Sequence, residues 1–220
     1  MTLSMQSELI RIRADSVQVE GMLELPGDPI GVVLFAHGSG SSRFSRRNNY
    51  VARELRNAKI GTLVMDLLTP QEDQDYAMRF DISLLTQRLD TAVDWLLQHA
   101  STRFLRLGLF GASTGAAAAV QVAAARGPSI AALVSRGGRP DMADRHALEK
   151  VRAPTLLIVG GLDDVVIELN RIAYTGLRCE KRLEIIPGAT HLFEEPGKLE
   201  AAAVLATDWF TRYLPRPQSR

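Results

Sequence analysis

The sequence is short of cysteine, of aromatic side chains, of net charge and of long apolar runs. Its single cysteine, Cys179, rules out an internal disulfide and fits a reducing compartment. That cysteine lies in the charged segment Arg178-Cys179-Glu180-Lys181-Arg182, with no strand-to-helix turn around it to make it a nucleophile. A formal net charge of +1 supplies neither a basic field for nucleic acid nor an acidic excess, so the expected partner is a small molecule, uncharged or locally charged. The longest apolar runs are only of strand length, and the opening MTLSMQSELI has neither the basic start nor the apolar stretch of a secretory signal. A cytoplasmic protein is therefore expected, with no nucleic-acid or membrane partner and with a homodimer left open. Metal and phosphate signatures are missing too: H-E-x-x-H, C-x-x-C and G-x-x-x-x-G-K-[ST] do not occur, and four histidines are too few for a cluster once one is used otherwise. The expectation is catalysis without metal or cofactor.

What is present is a sizeable apolar fraction, 46% of 220 residues, enough for one compact domain over residues 1–214 with a frayed tail at 215–220. Alternation from Leu9 to Leu25, with a turn at Ala14-Asp15-Ser16, reads as an antiparallel hairpin. From Gly31 onward the pattern changes to continuous apolar runs, the mark of strands buried on both faces: 31–36, 60–67, 105–110, 130–134, 155–159 and 183–186. Between them lie helices near 49–57, over 81–98 with apolar residues at spacings of three and four, at the alanine tract, at 142–150, at 165–177 and from Leu199 to Tyr213. Residues 71–75 read as an acidic loop. The order predicts a three-layer α/β fold: a mostly parallel sheet of about eight strands with helices on both faces. In such sheets active sites gather at the carboxyl ends of the strands.

The organising stretch is Leu105 to Ala119, LRLGLFGASTGAAAA. An apolar strand stops at Gly111-Ala112-Ser113-Thr114-Gly115 and gives way to a helix of small residues, the context that G-x-S-x-G requires. Ser113 would sit at a strained backbone angle with its hydroxyl pushed out, and a side chain at Gly111 or Gly115 would strike a neighbouring strand or helix. Ser113 is the candidate nucleophile. A serine hydroxyl needs a base, and the base needs an orienting carboxylate, in the chain order nucleophile, acid, histidine. His191 follows the last strand in the turn Pro187-Gly188-Ala189-Thr190 and is preferred to His146, which lies in a short polar helix. His99 and His146 read as surface residues near helix ends, and His37 as a residue that shapes its own loop. The acid is Asp163 or Asp164, which pattern alone does not separate; the other would cap the following helix. Oxyanion donors are expected from the amides of Thr114 and Ser39, the latter in His37-Gly38-Ser39-Gly40, whose small residues (Gly38, Gly40) let backbone approach a ligand. Gly38-x-Gly40 as a dinucleotide fingerprint fails because Arg43 stands where the third glycine belongs.

These motifs together resemble the α/β-hydrolases, and within them the dienelactone hydrolase and small carboxylesterase branch, from about Leu9 to Leu214. The resemblance implies G-x-x-D-x-x-V around the acid, which Gly160, Asp163 and Val166 satisfy, so Asp163 is chosen over Asp164. It also implies a cysteine in the elbow of true dienelactone hydrolases, whereas this chain has Ser113, which shifts the expectation toward ordinary ester hydrolysis. Only Arg136 to Lys150 fill the place of an inserted cap, so no large cap and an open site are expected. Dienelactone-type enzymes bind a substrate carboxylate with arginines; of Arg43, Arg79, Arg136 and Arg139, the candidates for substrate binding are Arg43 and above all Arg136. The expected function is a carboxylic ester hydrolase with a Ser113–His191–Asp163 triad. The alternatives are a lactone or thioester hydrolase with an anionic substrate and, in another class, a non-catalytic binding module on the same fold.

Overall fold

The computed structural model describes residues 5–215. Eight strands, β1 (Gln6–Ala14), β2 (Val17–Leu25), β3 (Gly31–Ala36), β4 (Ile60–Met65), β5 (Leu107–Ala112), β6 (Ile130–Arg136), β7 (Thr155–Gly160) and β8 (Lys181–Ile186), form one sheet in the order β1-β2-β4-β3-β5-β6-β7-β8. The pairs β1/β2 and β2/β4 are antiparallel, and every later pair is parallel. Burial follows position. The strands β3 to β7 are buried at every residue, while β1, at the edge, alternates toward its end. The hairpin turns at Asp15, whose φ of 54° lies in the left-handed region that aspartate tolerates.

Among the described residues seven α-helices accompany the sheet: α1 (Arg46–Asn57), α2 (Tyr76–Arg79), α3 (Ile82–Gln98), α4 (Thr114–Arg126), α5 (Arg145–Lys150), α6 (Asp164–Gly176) and α7 (Lys198–Tyr213). Two apolar cores lie on opposite faces of the sheet. One joins Leu34, Leu63 and Leu109 to Leu89 and Val93 of α3 and to the alanines of α4. The other joins Val33, Phe35 and Phe110 to Val51 and Leu55 of α1 and to Ala206 and Phe210 of α7. The three-layer expectation therefore holds, and no large cap is present among the described residues. Among the described residues no helix is long and apolar enough to cross a membrane. Of the expected tail, Pro215 is described, its carbonyl accepting from Arg106 Nη1 at 3.0 Å; residues 216–220 lie outside the described residues.

Several boundaries differ from expectation, each for a local reason. Helix α1 begins at Arg46 rather than near Asn49, because the Ser45 hydroxyl caps it by accepting from Asn48 N. The run expected as one helix over 142–150 is split. A 3₁₀ turn at Pro140–Met142 precedes α5, and Asp144 caps the new start by accepting from His146 N. The acidic segment holds a 3₁₀ turn (Glu72–Gln74) and then α2, capped by Asp75.

Candidate active site

Strand β5 ends in the tight turn that the sequence predicted. Ser113 has φ 49° and ψ −125°, a strained backbone for a residue with a side chain. The flanking glycines are fixed by contact. A Cβ at Gly111 would lie 2.5 Å from Ala116 Cα, and one at Gly115 would lie 2.3 Å from Ala36 O. Gly38 is forced as well, since its Cβ would meet Ser113 Cβ at 2.6 Å. The loop after β3 is thus pressed against the elbow. Arg139 N donates to Ser113 O at 2.9 Å, which fastens the segment after β6 to the same turn.

His191, beyond β8, meets Asp163, beyond β7, with Nδ1 2.7 Å from Oδ2. The carboxylate places the ring proton on Nδ1 and leaves Nε2 as the basic nitrogen. Asp163 occupies the N-cap position of α6 without a capping bond, its side chain being directed to the histidine, and Asp164 is the first residue of the helix rather than its cap. Gly160 makes this convergence feasible, because a Cβ there would come within 2.5 Å of Ala189 O and Thr190 O in the histidine loop. Ser113 and His191 line one cavity of about 220 Å³ together with Gly38, Ser39, Arg47, Asn48, Arg136 and Leu192. Among the described residues no hydrogen bond joins Ser113 Oγ to His191, whose Nδ1 is held by Asp163. A larger, more open hollow of about 600 Å³ beside Cys179 lies at the opposite ends of the strands. The Cys179 thiol there is pushed up from its ordinary range by burial, which makes it a poor nucleophile.

The remaining predicted residues divide. Arg136, the last residue of β6 rather than a loop residue, lines the cavity at 6% exposure. Its Nη2 donates to Asn48 Oδ1 at 3.2 Å, its Nε has no partner, and its guanidinium lies 5.6 Å over the Phe193 ring. No carboxylate pairs with it among the described residues, and burial followed by the nearby charge of Arg47 pushes its pKa down to about 10. Arg43 is the contrary case and corrects the expectation of a substrate contact. It forms ion pairs with Asp66 and with Glu20, the latter at 2.6 Å, and does not line the cavity. Arg79 is tied to Asp73 and Arg139 to Asp141. Gly40 does not line the cavity either; its φ of 65° explains the glycine as a turn residue. His37 is buried, with Nδ1 2.9 Å from Gly38 O and Nε2 accepting from Leu67 N, so it shapes its loop as expected. His146 is exposed and His99 closes α3, stacked on Trp95.

The expected donor at Ser39 needs correcting. Its amide is already engaged, donating to Thr114 Oγ1 at 3.0 Å, because the threonine side chain turns back toward the loop after β3. The Thr114 amide, at the first position of α4, has no acceptor among the described residues. Asn48 and Arg47 were not foreseen. Asn48 falls on the buried stripe of α1 with Val51, Ala52 and Leu55, and a polar residue on an apolar stripe is the signal that would have found it.

With this geometry the chain belongs to the α/β-hydrolases, in the branch that is dienelactone hydrolase-like: the model of the alpha/beta hydrolase domain family matches residues 29–206. Among solved structures it is similar to a dienelactone hydrolase from Anabaena variabilis, 51% identical, covering 96% of this chain and 99% of that one, with a TM-score of 0.92. A serine hydrolase without a lid from Xanthomonas campestris shares the fold at a TM-score of 0.79 and 20% identity, over 96% of this chain and 97% of that one. A Mycobacterium tuberculosis protein carrying the provisional name phosphoribosyl transferase is 51% identical over 213 residues, 97% of this chain and 48% of its own length. The chain thus spans about half the length of the curated relatives that it matches.

Proposed function

We propose that the chain is a serine hydrolase that cleaves carboxylic esters through an acyl-enzyme. The observation that carries this reading is the 2.7 Å bond between His191 and Asp163 at the edge of the cavity in which the elbow displays Ser113. His191 Nε2 takes the proton of Ser113 Oγ as that oxygen attacks the ester carbonyl carbon. Asp163 stays ionised, holds the Nδ1 proton and stabilises the imidazolium. The Thr114 amide donates to the oxyanion of the tetrahedral intermediate. His191 then protonates the departing alkoxide. Water, deprotonated by the same imidazole, attacks the acyl-enzyme, and the proton returns to Ser113 as the acid leaves. Replacing Ser113 by Ala should lower kcat on p-nitrophenyl acetate at least about 10³-fold. Turnover near the wild-type rate would overturn the assignment.

Arg136 favours a second reading, in which the ester or lactone carries its own anion. A buried guanidinium with a spare donor and no carboxylate offers bidentate capture of a substrate carboxylate beside Ser113. The small cavity favours short acyl groups. The transferase name of the mycobacterial relatives attaches to proteins of which this chain covers 48%.

A further inference from the structure

We propose that Asn170 is a positioning residue for the triad: through one peptide unit of the segment after β6 it ties the helix led by Asp163 to the elbow that carries Ser113. The inference rests on the serine-hydrolase reading above. Asn170 lies on the buried stripe of α6 with Val166, Ile167 and Ala173, is 0% exposed, and its Oδ1 has no partner among the described residues. A buried amide with one atom unspent costs stability, so packing alone does not account for it. Its other end does. Nδ2 donates to Gly138 O at 2.9 Å, and to Val166 O, one turn back in its own helix, at 2.8 Å. Gly138 O belongs to the same planar peptide as Arg139 N, which donates to Ser113 O at 2.9 Å. One rigid plane, bonded at both edges, therefore joins α6 to the elbow, and the two bonds polarise each other.

This segment needs an anchor from outside itself. Gly137 has a φ of 51°, and two glycines in a row leave the backbone between them free to turn over. A side chain cannot stiffen it at Gly138, where a Cβ would come 2.0 Å from Ser135 Oγ and 2.5 Å from Ala116 Cβ. Both partners of the reaction feel its position. Ser113, strained at φ 49°, keeps that conformation only while its surroundings over-determine it, and Arg139 N is one of two amides on its carbonyl, the other being Ala116 N at 3.1 Å. Gly137 lies against the base, since a Cβ there would come within 3.0 Å of His191 O and 3.8 Å of His191 Cε1. The segment thus touches nucleophile and base, and Asn170 fastens it to the helix whose N-cap is the acid. Asn170 does not line the cavity and takes no part in proton transfer.

The test removes the amide in two sizes, Asn170→Leu and Asn170→Ala. On p-nitrophenyl acetate, at a temperature where circular dichroism shows each protein folded, both should lose about 10- to 100-fold in kcat with KM within about two-fold of wild type. Labelling of Ser113 by a fluorophosphonate should slow by the same factor, because it reads the nucleophile without the later steps. Leu177→Ala is the control for lost stability. It opens a hole in the core just beyond the far end of α6, and it should melt lower while keeping wild-type kcat. Wild-type kcat in either folded Asn170 variant overturns the proposal. So does a loss carried by KM alone, undiminished labelling in a slow variant, or a folded Leu177→Ala protein as slow as the Asn170 variants; if the leucine variant does not fold, the alanine variant decides alone. The Ser113→Ala control separates the cases: if that variant is active, the serine-hydrolase reading fails, and if it is dead while the Asn170 variants are fully active, only the role of Asn170 fails.

Discussion

Two arginines at the carboxyl ends of the strands have opposite surroundings. Arg43 sits between Asp66 and Glu20, two carboxylates for one cation, outside the cavity. Arg136 lies deeper, with one amide oxygen, one aromatic ring and another arginine for company. A guanidinium supplied with carboxylates has its charge answered within the chain and serves to fasten the loop after β3 to Glu20 in β2 and to Asp66 just beyond β4. A guanidinium held dry without one keeps unspent attraction for an anion from outside. The difference separates a fastening from a group that we propose as a receptor, although both residues are arginines at strand ends.

The sharpest way to break this contrast is at Arg136. Changing it to Met should reduce the ratio of rates on a carboxylate-bearing ester and on p-nitrophenyl acetate by about 10- to 100-fold, the usual worth of hydrogen bonds to a charged group. Unaltered selectivity would return Arg136 to the role of a structural residue. At Arg43 the same substitution should leave both rates alone and lower stability by about 1–3 kcal/mol, since it strands two partly buried carboxylates. Urea denaturation measures the loss, and a rate change as large as that at Arg136 would erase the distinction. The smallest effect comes through His37, which backs the Arg43 corner by accepting from Leu67 N, next to Asp66. Burial holds its pKa below the ordinary 6.5, so the folded chain keeps it neutral while the unfolded chain binds a proton. Its contribution is therefore complete above about pH 6.5 and declines as the pH falls below that value, by about 1.4 kcal/mol per pH unit at most. The melting temperature of a His37→Asn variant should fall less between pH 7 and 5 than that of the wild type.

Most of this architecture is legible in the chain itself. Strands buried on both faces must be continuous apolar runs, and Gly31–Ala36 and Thr155–Gly160 have no other use for their composition. The elbow is legible because Gly111 and Gly115 face backbone atoms that no side chain can displace. Asp163 needed the wider G-x-x-D-x-x-V pattern, since charge and position are shared with Asp164. What stayed hidden depends on pairs distant in sequence. Nothing near Arg43 reveals that Glu20 and Asp66 reach it, and Ser39 and Thr114 are 75 residues apart. Helix α2 was missed for another reason. It has four residues and buries none, so it leaves no periodic trace.

The backbone at position 113 carries one more consequence. With φ at 49°, glycine would rest there more comfortably than serine. A lineage relieved of any need for the hydroxyl should drift to glycine at this site early and gain firmness by doing so. Gly111 and Gly115 would stay as they are, because the atoms behind them belong to the scaffold and not to the chemistry.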